Sequence, residues 1–365
     1  MDERSFWVAL QQVPGLGARR FLRLVQIFGS PRAVWEAPDN ELLTIEGLGK
    51  AISNLLQWRR QVTPERLMAK LDSAGIKVLT LADEAYPLEL KRIYDPPPVL
   101  YWRGSRLPGQ ELRIAIVGTR RATAYGLKVA EQLAEELAAG GVGVVSGLAR
   151  GIDAAAHRGA IKGNGPTWGI LGCGVDVVYP PEHRELYHKV MDHGAIISEY
   201  PPGMRPEAGH FPARNRIISG LTKGTVVVEA AAKSGALITA DLALEQNRDV
   251  FAVPGPVTSR YSQGTNELIK QGARVVTGAG DILAEYVSEY ERDSLWQLTP
   301  QEYRAEAALT AAEEKIMAVL SVVPVHLDAI LATTGLPPGE VNTALLQLEM
   351  RKLIRRLPGG FYLRC

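Results

Sequence analysis

Four short segments of this sequence set small or hydrogen-bonding residues beside a cation. They are Gly118-Thr119-Arg120, Ser146-Gly147-Leu148-Ala149-Arg150-Gly151, Phe211-Pro212-Ala213-Arg214-Asn215-Arg216 and Lys233-Ser234-Gly235. Backbone N–H groups freed by glycine turns, hydroxyl donors and fixed guanidinium or ammonium charges together bind phosphate. One nucleotide needs one or two such turns, so four in series suit a polyanion held phosphate by phosphate. Residues 205–233 add to this, with Arg205, Arg214, Arg216, Lys223 and Lys233 against Glu207 and Glu229. A plainer account has the arginines capping helices or pairing with acids such as Glu229 and Glu245. That account suits any one arginine and fits the repeated set less well.

The elements that must position these turns are legible between residues 76 and 285. Short apolar runs (Ile114–Val117, Val142–Val145, Thr167–Leu171, Ala195–Ile197, Thr225–Val228, Val250–Val253, Arg274–Thr277) alternate with helix-like stretches such as Leu127–Ala139 and Ala236–Gln246. Near-continuous apolar strands separated by helices predict a parallel sheet covered on both faces, an α/β doubly wound, Rossmann-like domain. In such sheets ligands bind beyond the carboxyl ends of the strands. Three of the four segments directly follow a predicted strand or open a predicted helix, and the third leads into a helix.

Smaller regions flank this domain. Residues 1–75 read as short helices divided by two similar turns, Val13-Pro14-Gly15-Leu16-Gly17 before Ala18-Arg19-Arg20, and Ile45-Glu46-Gly47-Leu48-Gly49 before Lys50. The pattern resembles a helix-hairpin-helix or SAM-like module, in which a helix N-terminus beside a cation suits a phosphate; two capped helix junctions without a ligand are the alternative. Residues 281–306 hold seven acids against two arginines, and 286–306 reads as an acidic linker. Residues 307–365 then give three helices (Glu313–Val322, Leu327–Thr334, Pro338–Lys352) and a hairpin (Leu353–Leu357, Phe361–Arg364), the outline of a winged helix. Its end carries Arg351, Lys352, Arg355, Arg356 and Arg364 without an acid. That suits an anionic partner, and equally a protein-interaction module.

Composition sets the limits. The 365 residues carry 41 Lys plus Arg and 40 Asp plus Glu, a net charge of +1, so no whole-molecule field draws the chain to nucleic acid or an anionic membrane. Hydrophobic residues make up 46% and charged residues 22%, which excludes a mainly disordered chain. Cys173 and Cys365 form no C-x-x-C pair, so neither a zinc site nor a disulfide framework is expected. No run of about 18 apolar residues predicts a membrane span. The opening MDERSFWVAL lacks the apolar core of a signal peptide, so a cytoplasmic setting is expected.

Catalytic signatures are missing. There is no G-x-x-x-x-G-K-[ST] and no G-x-S-x-G, and after Ile114–Val117 the dinucleotide pattern G-x-G-x-x-G fails at Arg120 and Arg121. His183, His188 and His193 recur every five residues, which turns a helix by about 500° and spreads them over different faces. No metal and no cofactor are expected.

The central region resembles the DNA processing protein A (DprA, also called Smf) family of bacteria. The runs that carry the resemblance are Ala115–Arg120, Val145–Ala155 (VSGLARGIDAA), Tyr179-Pro180, Ser198–Gly203 (SEYPPG), Phe211–Gly220 (FPARNRIISG), Val228–Ala240 (VEAAAKSGALITA) and Val250–Pro256 (VFAVPGP). They cover most of residues 85–280. The resemblance implies an extended Rossmann-like fold that binds single-stranded DNA, forms a homodimer and delivers the strand to the RecA recombinase during natural transformation. Carried over by position, it implies a DNA-contacting pocket at Gly118, Thr119, Arg120, Ser146, Gly147, Gly151, Arg214, Asn215, Arg216, Lys233, Ser234 and Gly235. Dimer contacts are expected around Asn266–Ala273. His183 stands where the family usually has Asn, which puts a role at that position in doubt. The implied mechanism is binding without turnover, Arg120, Arg214, Arg216 and Lys233 neutralising successive phosphates and Phe211 or Tyr200 offering a ring to a base. Two rivals remain: a nucleotide phosphoribohydrolase, whose Pro-Gly-Gly-x-Gly-Thr turn is largely lost at Glu229–Gly235, and a scaffold that binds only proteins.

Overall fold

The computed structural model describes residues 3–286, 310–321, 325–350, 353–357 and 360–364. The chain divides into two compact units, Met1–Arg292 and Asp293–Cys365.

The first unit is built on nine strands: β1 (Lys77–Thr80), β2 (Val99–Gly104), β3 (Arg113–Val117), β4 (Gly143–Ser146), β5 (Thr167–Ile170), β6 (Gly194–Ser198), β7 (Gly224–Val227), β8 (Asp249–Ala252) and β9 (Arg274–Val275). Their order is β1-β2-β6-β5-β4-β3-β7-β8-β9. From β6 to β9 every pairing is parallel, while β1 and β2 extend the sheet antiparallel. The seven strands expected from apolar runs are thus all present, and β1 and β2 escaped notice because β2 is half-buried beyond Tyr101 and lacks the continuous apolar run of a central strand. The chain builds outward from β3 through β4, β5 and β6 on one side and through β7, β8 and β9 on the other. The direction of winding reverses between β3 and β7, and a crevice opens there at the carboxyl ends.

Helices cover both faces. Ile114, Ile116, Val144, Val226 and Phe251 pack against Ala130, Leu133 and Leu137 of the helix Ala124–Ala139 on one face. Ala115, Val117, Val145, Ile170 and Val227 pack against Ile217, Ile218, Ala240 and Ala243 on the other. The helix Ala124–Ala139 begins where Thr123 Oγ1 accepts from Gly126 N at 3.1 Å, the preferred N-cap chemistry.

Residues 3–73 fold into six short helices. Ser30 caps the helix Pro31–Glu36 with Pro31 at its first position, which fixes φ where no N–H partner is needed. Phe6, Phe21, Leu24, Ile52 and Leu55 of these helices share one core with Tyr101 and Ile196 of the sheet and with Leu148 and Leu171 just beyond β4 and β5. The boundary expected after residue 75 falls between the helix Pro64–Ser73 and β1.

The acidic stretch begins inside this unit. Asp281 accepts from Thr277 N at 2.7 Å, Glu285 pairs with Arg274, and Tyr286 Oη donates to Asp249 Oδ2 at 2.9 Å. The rest of the expected linker, 287–306, lies outside the described residues.

The second unit contains helices Ala311–Val319, Leu327–Thr334 and Pro338–Met350 with a three-stranded sheet of β10 (Val325–His326), β11 (Ile354–Leu357) and β12 (Phe361–Arg364), in the order β10-β12-β11. Thr310 and Glu313 form the capping box of the first helix. The expected winged helix is present, with β10 as an added strand. Of its basic tail, Arg364 is exposed; Arg351 and Lys352 lie outside the described residues. Among the described residues no helix is long and apolar enough to cross a membrane.

Candidate nucleic-acid interface

The loops that follow β3, β4 and β7 meet at the crevice. Thr119 N donates to Glu229 O at 2.8 Å, which joins the loop after β3 to the loop after β7. The Glu229 carboxylate completes the joint, accepting from Thr123 N at 2.9 Å and Thr123 Oγ1 at 2.6 Å. The acid that the plainer account would pair with an arginine ties two loops together.

Close approach explains the glycines here. A Cβ on Gly118 would lie 2.5 Å from Ile152 Cγ1, and one on Gly147 would lie 2.5 Å from Arg214 Nη2 and 2.6 Å from Asp153 Oδ2. Gly151 has φ +77° and would set a Cβ 2.3 Å from Thr119 O. Gly151 then opens the helix Ile152–Lys162 without a side-chain cap, so its first N–H groups rely on other partners.

Not every expected contact residue faces outward. Ser146 is fully buried, and its Oγ donates to Ile116 O at 2.6 Å, stitching β4 to β3. Phe211–Arg216 does not precede a helix but lies within one, His210–Gly220. Residues two apart on a helix point about 200° apart, so Arg214 and Arg216 cannot serve one row of phosphates. Arg214 is 3% exposed; its Nη1 donates to Gly147 O at 2.9 Å and to Ile170 O. Burial pulls its pKa down to about 10, with the Asp153 carboxylate opposing that shift. Asp153 is itself buried, which raises its pKa, and Arg214 restrains the rise. Arg216 turns the other way, where Nε donates to Asp95 Oδ2 at 3.0 Å and Nη2 to Glu199 Oε2 at 2.6 Å. Helix geometry thus gives the two arginines different internal partners: Arg214 is buried against Gly147, Ile170 and Asp153, and Arg216 is held by Asp95 and Glu199.

Arg120 and Lys233 are exposed and make no close ion pair among the described residues, though the Arg120 charge acts together with Arg214 on the buried Asp153 carboxylate. The Arg120 guanidinium lies over the Phe211 ring, 4.9 Å from its centroid. Beneath it runs a narrow cleft walled by Gly147, Ala149, Leu171, Cys173, Tyr179 and Phe211. The Tyr179 and Phe211 rings sit 5.6 Å apart. Burial pushes the Cys173 thiol up to about 11, so it stays protonated and is no nucleophile at neutral pH. At the next helix, Ser234 Oγ accepts from Ala236 N at 3.3 Å, and Asn215 Nδ2 lies 3.5 Å from Gly235 O. Of the twelve expected residues, Arg120 and Gly147 line the cleft, Gly151 packs behind it against Thr119 and Arg120, and Gly118 packs against Ile152; Asn215 leads to a second group, Lys233, Ser234 and Gly235.

The chain matches the family described as DNA recombination-mediator protein A over residues 77–287. Protein Smf of Synechocystis is 36% identical over 395 aligned positions, covering 100% of this chain and 99% of that protein. The chain belongs to the DNA recombination-mediator protein A family. A second match, to the DprA winged helix domain, covers residues 300–360. DNA processing protein DprA of Bacillus subtilis is 45% identical over 221 residues, 60% of this chain and 74% of that one. The crystal structure of DNA processing protein A from Streptococcus pneumoniae superposes with a TM-score of 0.70 at 33% identity, covering 77% of this chain and 97% of that one. DNA processing protein A from Helicobacter pylori, whose structure is described in terms of its single-stranded DNA binding mode, gives 0.52 at 31% identity, covering 58% and 95%.

Sequence reasoning missed two residues near this cleft, Asp153 and His157, and left the role of a third, His183, open. Asp153 could have been found as the acid in the first turn of a helix that starts at a glycine turn. His183, at the position where the family's usual Asn is replaced, donates from Nδ1 to Leu148 O at 3.0 Å and steadies a residue with φ +56°. His157 is fully buried, its Nδ1 2.7 Å from Thr167 Oγ1, and burial pushes its pKa down to about 3. His193 bonds within its own helix, and among the described residues no His, Cys, Asp or Glu group converges on a metal-sized site.

Proposed function

We propose that this chain binds single-stranded DNA along the carboxyl edge of its sheet, as a homodimer, and presents the strand to a RecA-class recombinase during natural transformation. The reading rests on one observation above all: an exposed Arg120 with no close ion pair among the described residues, stacked on Phe211 over a narrow cleft. A guanidinium fixed by a ring meets a phosphate at little further entropic cost, and the adjacent aromatic walls can stack a base. Lys233 adds a second phosphate contact, Thr119 and the helix openings at Gly151 and Gly235 add N–H and hydroxyl donors, and Arg214 and Arg216 act as positioning residues. The relative from Helicobacter pylori described by its single-stranded DNA binding mode supports the choice of ligand. Membership of a recombination-mediator family supports the choice of partner. Dimerisation along the Asn266–Ala273 region leaves Asn266 in place, since its amide already holds Gly255 through Nδ2 to O at 3.0 Å.

The site binds and does not turn over. Its one acid at the β7 turn, Glu229, is taken up by Thr123, which leaves the phosphoribohydrolase reading without a free carboxylate there.

Fluorescence anisotropy with a labelled poly-dT strand and a matched duplex, at two salt concentrations, tests the reading. Wild type should prefer the strand, with a log–log salt slope of about −0.7 for each phosphate neutralised. Arg120→Glu should abolish that preference. Equal binding by Arg120→Glu, or no preference in wild type, overturns the reading.

A further inference from the structure

A second and larger groove lies beside the cleft. It measures about 830 Å3 and runs between the first N-terminal glycine hairpin, Gly15–Arg20, and the sheet-side residues Asp95, Glu199, Tyr200 and His210. The second glycine hairpin, Gly47–Gly49, does not line it.

The groove repeats the device seen at Arg120. Arg19, a lining residue of the groove, is exposed, makes no ion pair among the described residues, and lies 4.2 Å above the centroid of the Tyr94 ring, which is 83% exposed and stands at the rim next to the lining residue Asp95. Lys77 on Trp102 and Arg260 on Tyr261 are similar pairs but line neither the cleft nor the groove. At the opposite wall the Tyr200 and His210 rings stack 4.1 Å apart. Asp95 and Glu199 share one cation, Arg216, and with Arg19 and Arg20 the charged lining comes to three cations against two acids, a net +1. Cleft and groove are also continuous: His210 lines the groove, its neighbour Phe211 lines the cleft, and the His210 Nδ1 donates to Gly172 O at 3.2 Å in the cleft wall.

We infer that the groove receives the same single strand where it leaves the cleft, with Arg19 on a backbone phosphate and Tyr94 and the Tyr200–His210 pair as stacking surfaces for bases. This rests on the reading of the cleft given above. A cationic channel with intermittent rings is the arrangement that follows a single strand irrespective of sequence.

The two sites separate by strand length. Anisotropy is measured with dT oligomers of about 6 and about 20 nucleotides, within and beyond the span of one compact single-strand site. The double variant Arg19→Glu, Tyr94→Ala changes two exposed side chains and should leave the fold intact, checked by its thermal midpoint. It should weaken the long strand about tenfold, as loss of a stack and a phosphate contact predicts, and leave the short one unchanged. Arg120→Glu should weaken both lengths. If the double variant binds both lengths like wild type, the groove takes no nucleic acid and a protein occupant replaces it. If Arg120→Glu leaves both lengths unchanged, the cleft reading fails and with it the path from cleft to groove; a loss by the double variant would then show a groove that binds the strand without the cleft.

Discussion

The strand-end turns and the N-terminal glycine hairpins read alike in the sequence, glycine followed by arginine or lysine, yet they are built for different reasons. At the sheet edge the glycines are dictated by contact: Gly118, Gly147 and Gly151 each have a neighbour within 2.5 Å of where a Cβ would stand. In the hairpins Gly17 and Gly49 have nothing within 4 Å, and Gly15 and Gly47 are set by positive φ values of +77° and +76°. The same letters therefore mark an over-determined backbone in one place and an adaptable turn in the other. Rigid geometry is what a site needs to hold charge in position, and the sheet edge has it.

The largest test of that contrast is Arg214→Ala. It would orphan the carbonyls of Gly147 and Ile170 and leave Asp153 buried without its counter-charge, a loss of about 3–5 kcal/mol. Urea denaturation should show the drop, and a midpoint within a few tenths molar of wild type would mean the buried charge is not structural. Gly151→Ala comes next. It combines a left-handed backbone with a 2.3 Å clash on a main-chain oxygen, and about 2–4 kcal/mol follows from strain and overpacking together. Its unfolding midpoint should fall well below that of any hairpin glycine variant.

Acid separates the regions too. The described N-terminal helices contain no histidine, whereas His157 sits behind the β4 and β5 strands with its pKa pushed down to about 3 from an ordinary 6.5. A depressed folded pKa means that the neutral form is favoured in the native state, so its stabilisation is complete above pH 6.5 and is lost as pH falls toward 3. Between pH 7 and pH 5 the loss amounts to about 2 kcal/mol. His157→Leu should flatten that part of the stability profile, and an unchanged slope would show that another group titrates there.

What the sequence made legible follows the same division. Central strands such as Ile114–Val117 announce themselves because burial on both faces demands unbroken apolar residues, and the turn signals at Gly118 and Ser234 fall where the chain leaves or enters an element. Side-chain direction was not legible. Nothing in FPARNRIISG says that the helix starts at His210, and that single fact sends Arg214 inward and Arg216 toward Asp95 and Glu199. Partners distant in sequence, Glu229 with Thr123 or His183 with Leu148, depend on the folded sheet bringing loops together, and no local pattern encodes them.

The smallest effect sharpens the comparison most. Gly17 precedes the helix Ala18–Phe28 with φ −69° and ψ 168°, an extended conformation any L-residue adopts, and it has open space where a Cβ would go. Gly17→Ala should therefore change stability by less than about 0.5 kcal/mol, with reduced freedom of the unfolded chain offsetting the lost N-cap preference for glycine. Gly15→Ala, two residues earlier, must hold a left-handed backbone and should cost about 1–2 kcal/mol with no clash to blame. Measured beside Gly151→Ala under the same conditions, the three variants form a ladder: neither cause, conformation alone, conformation plus contact. If Gly17→Ala and Gly151→Ala cost the same, close packing is not what distinguishes the sheet edge. The rigidity assigned to the cleft around Arg120 would then need another source.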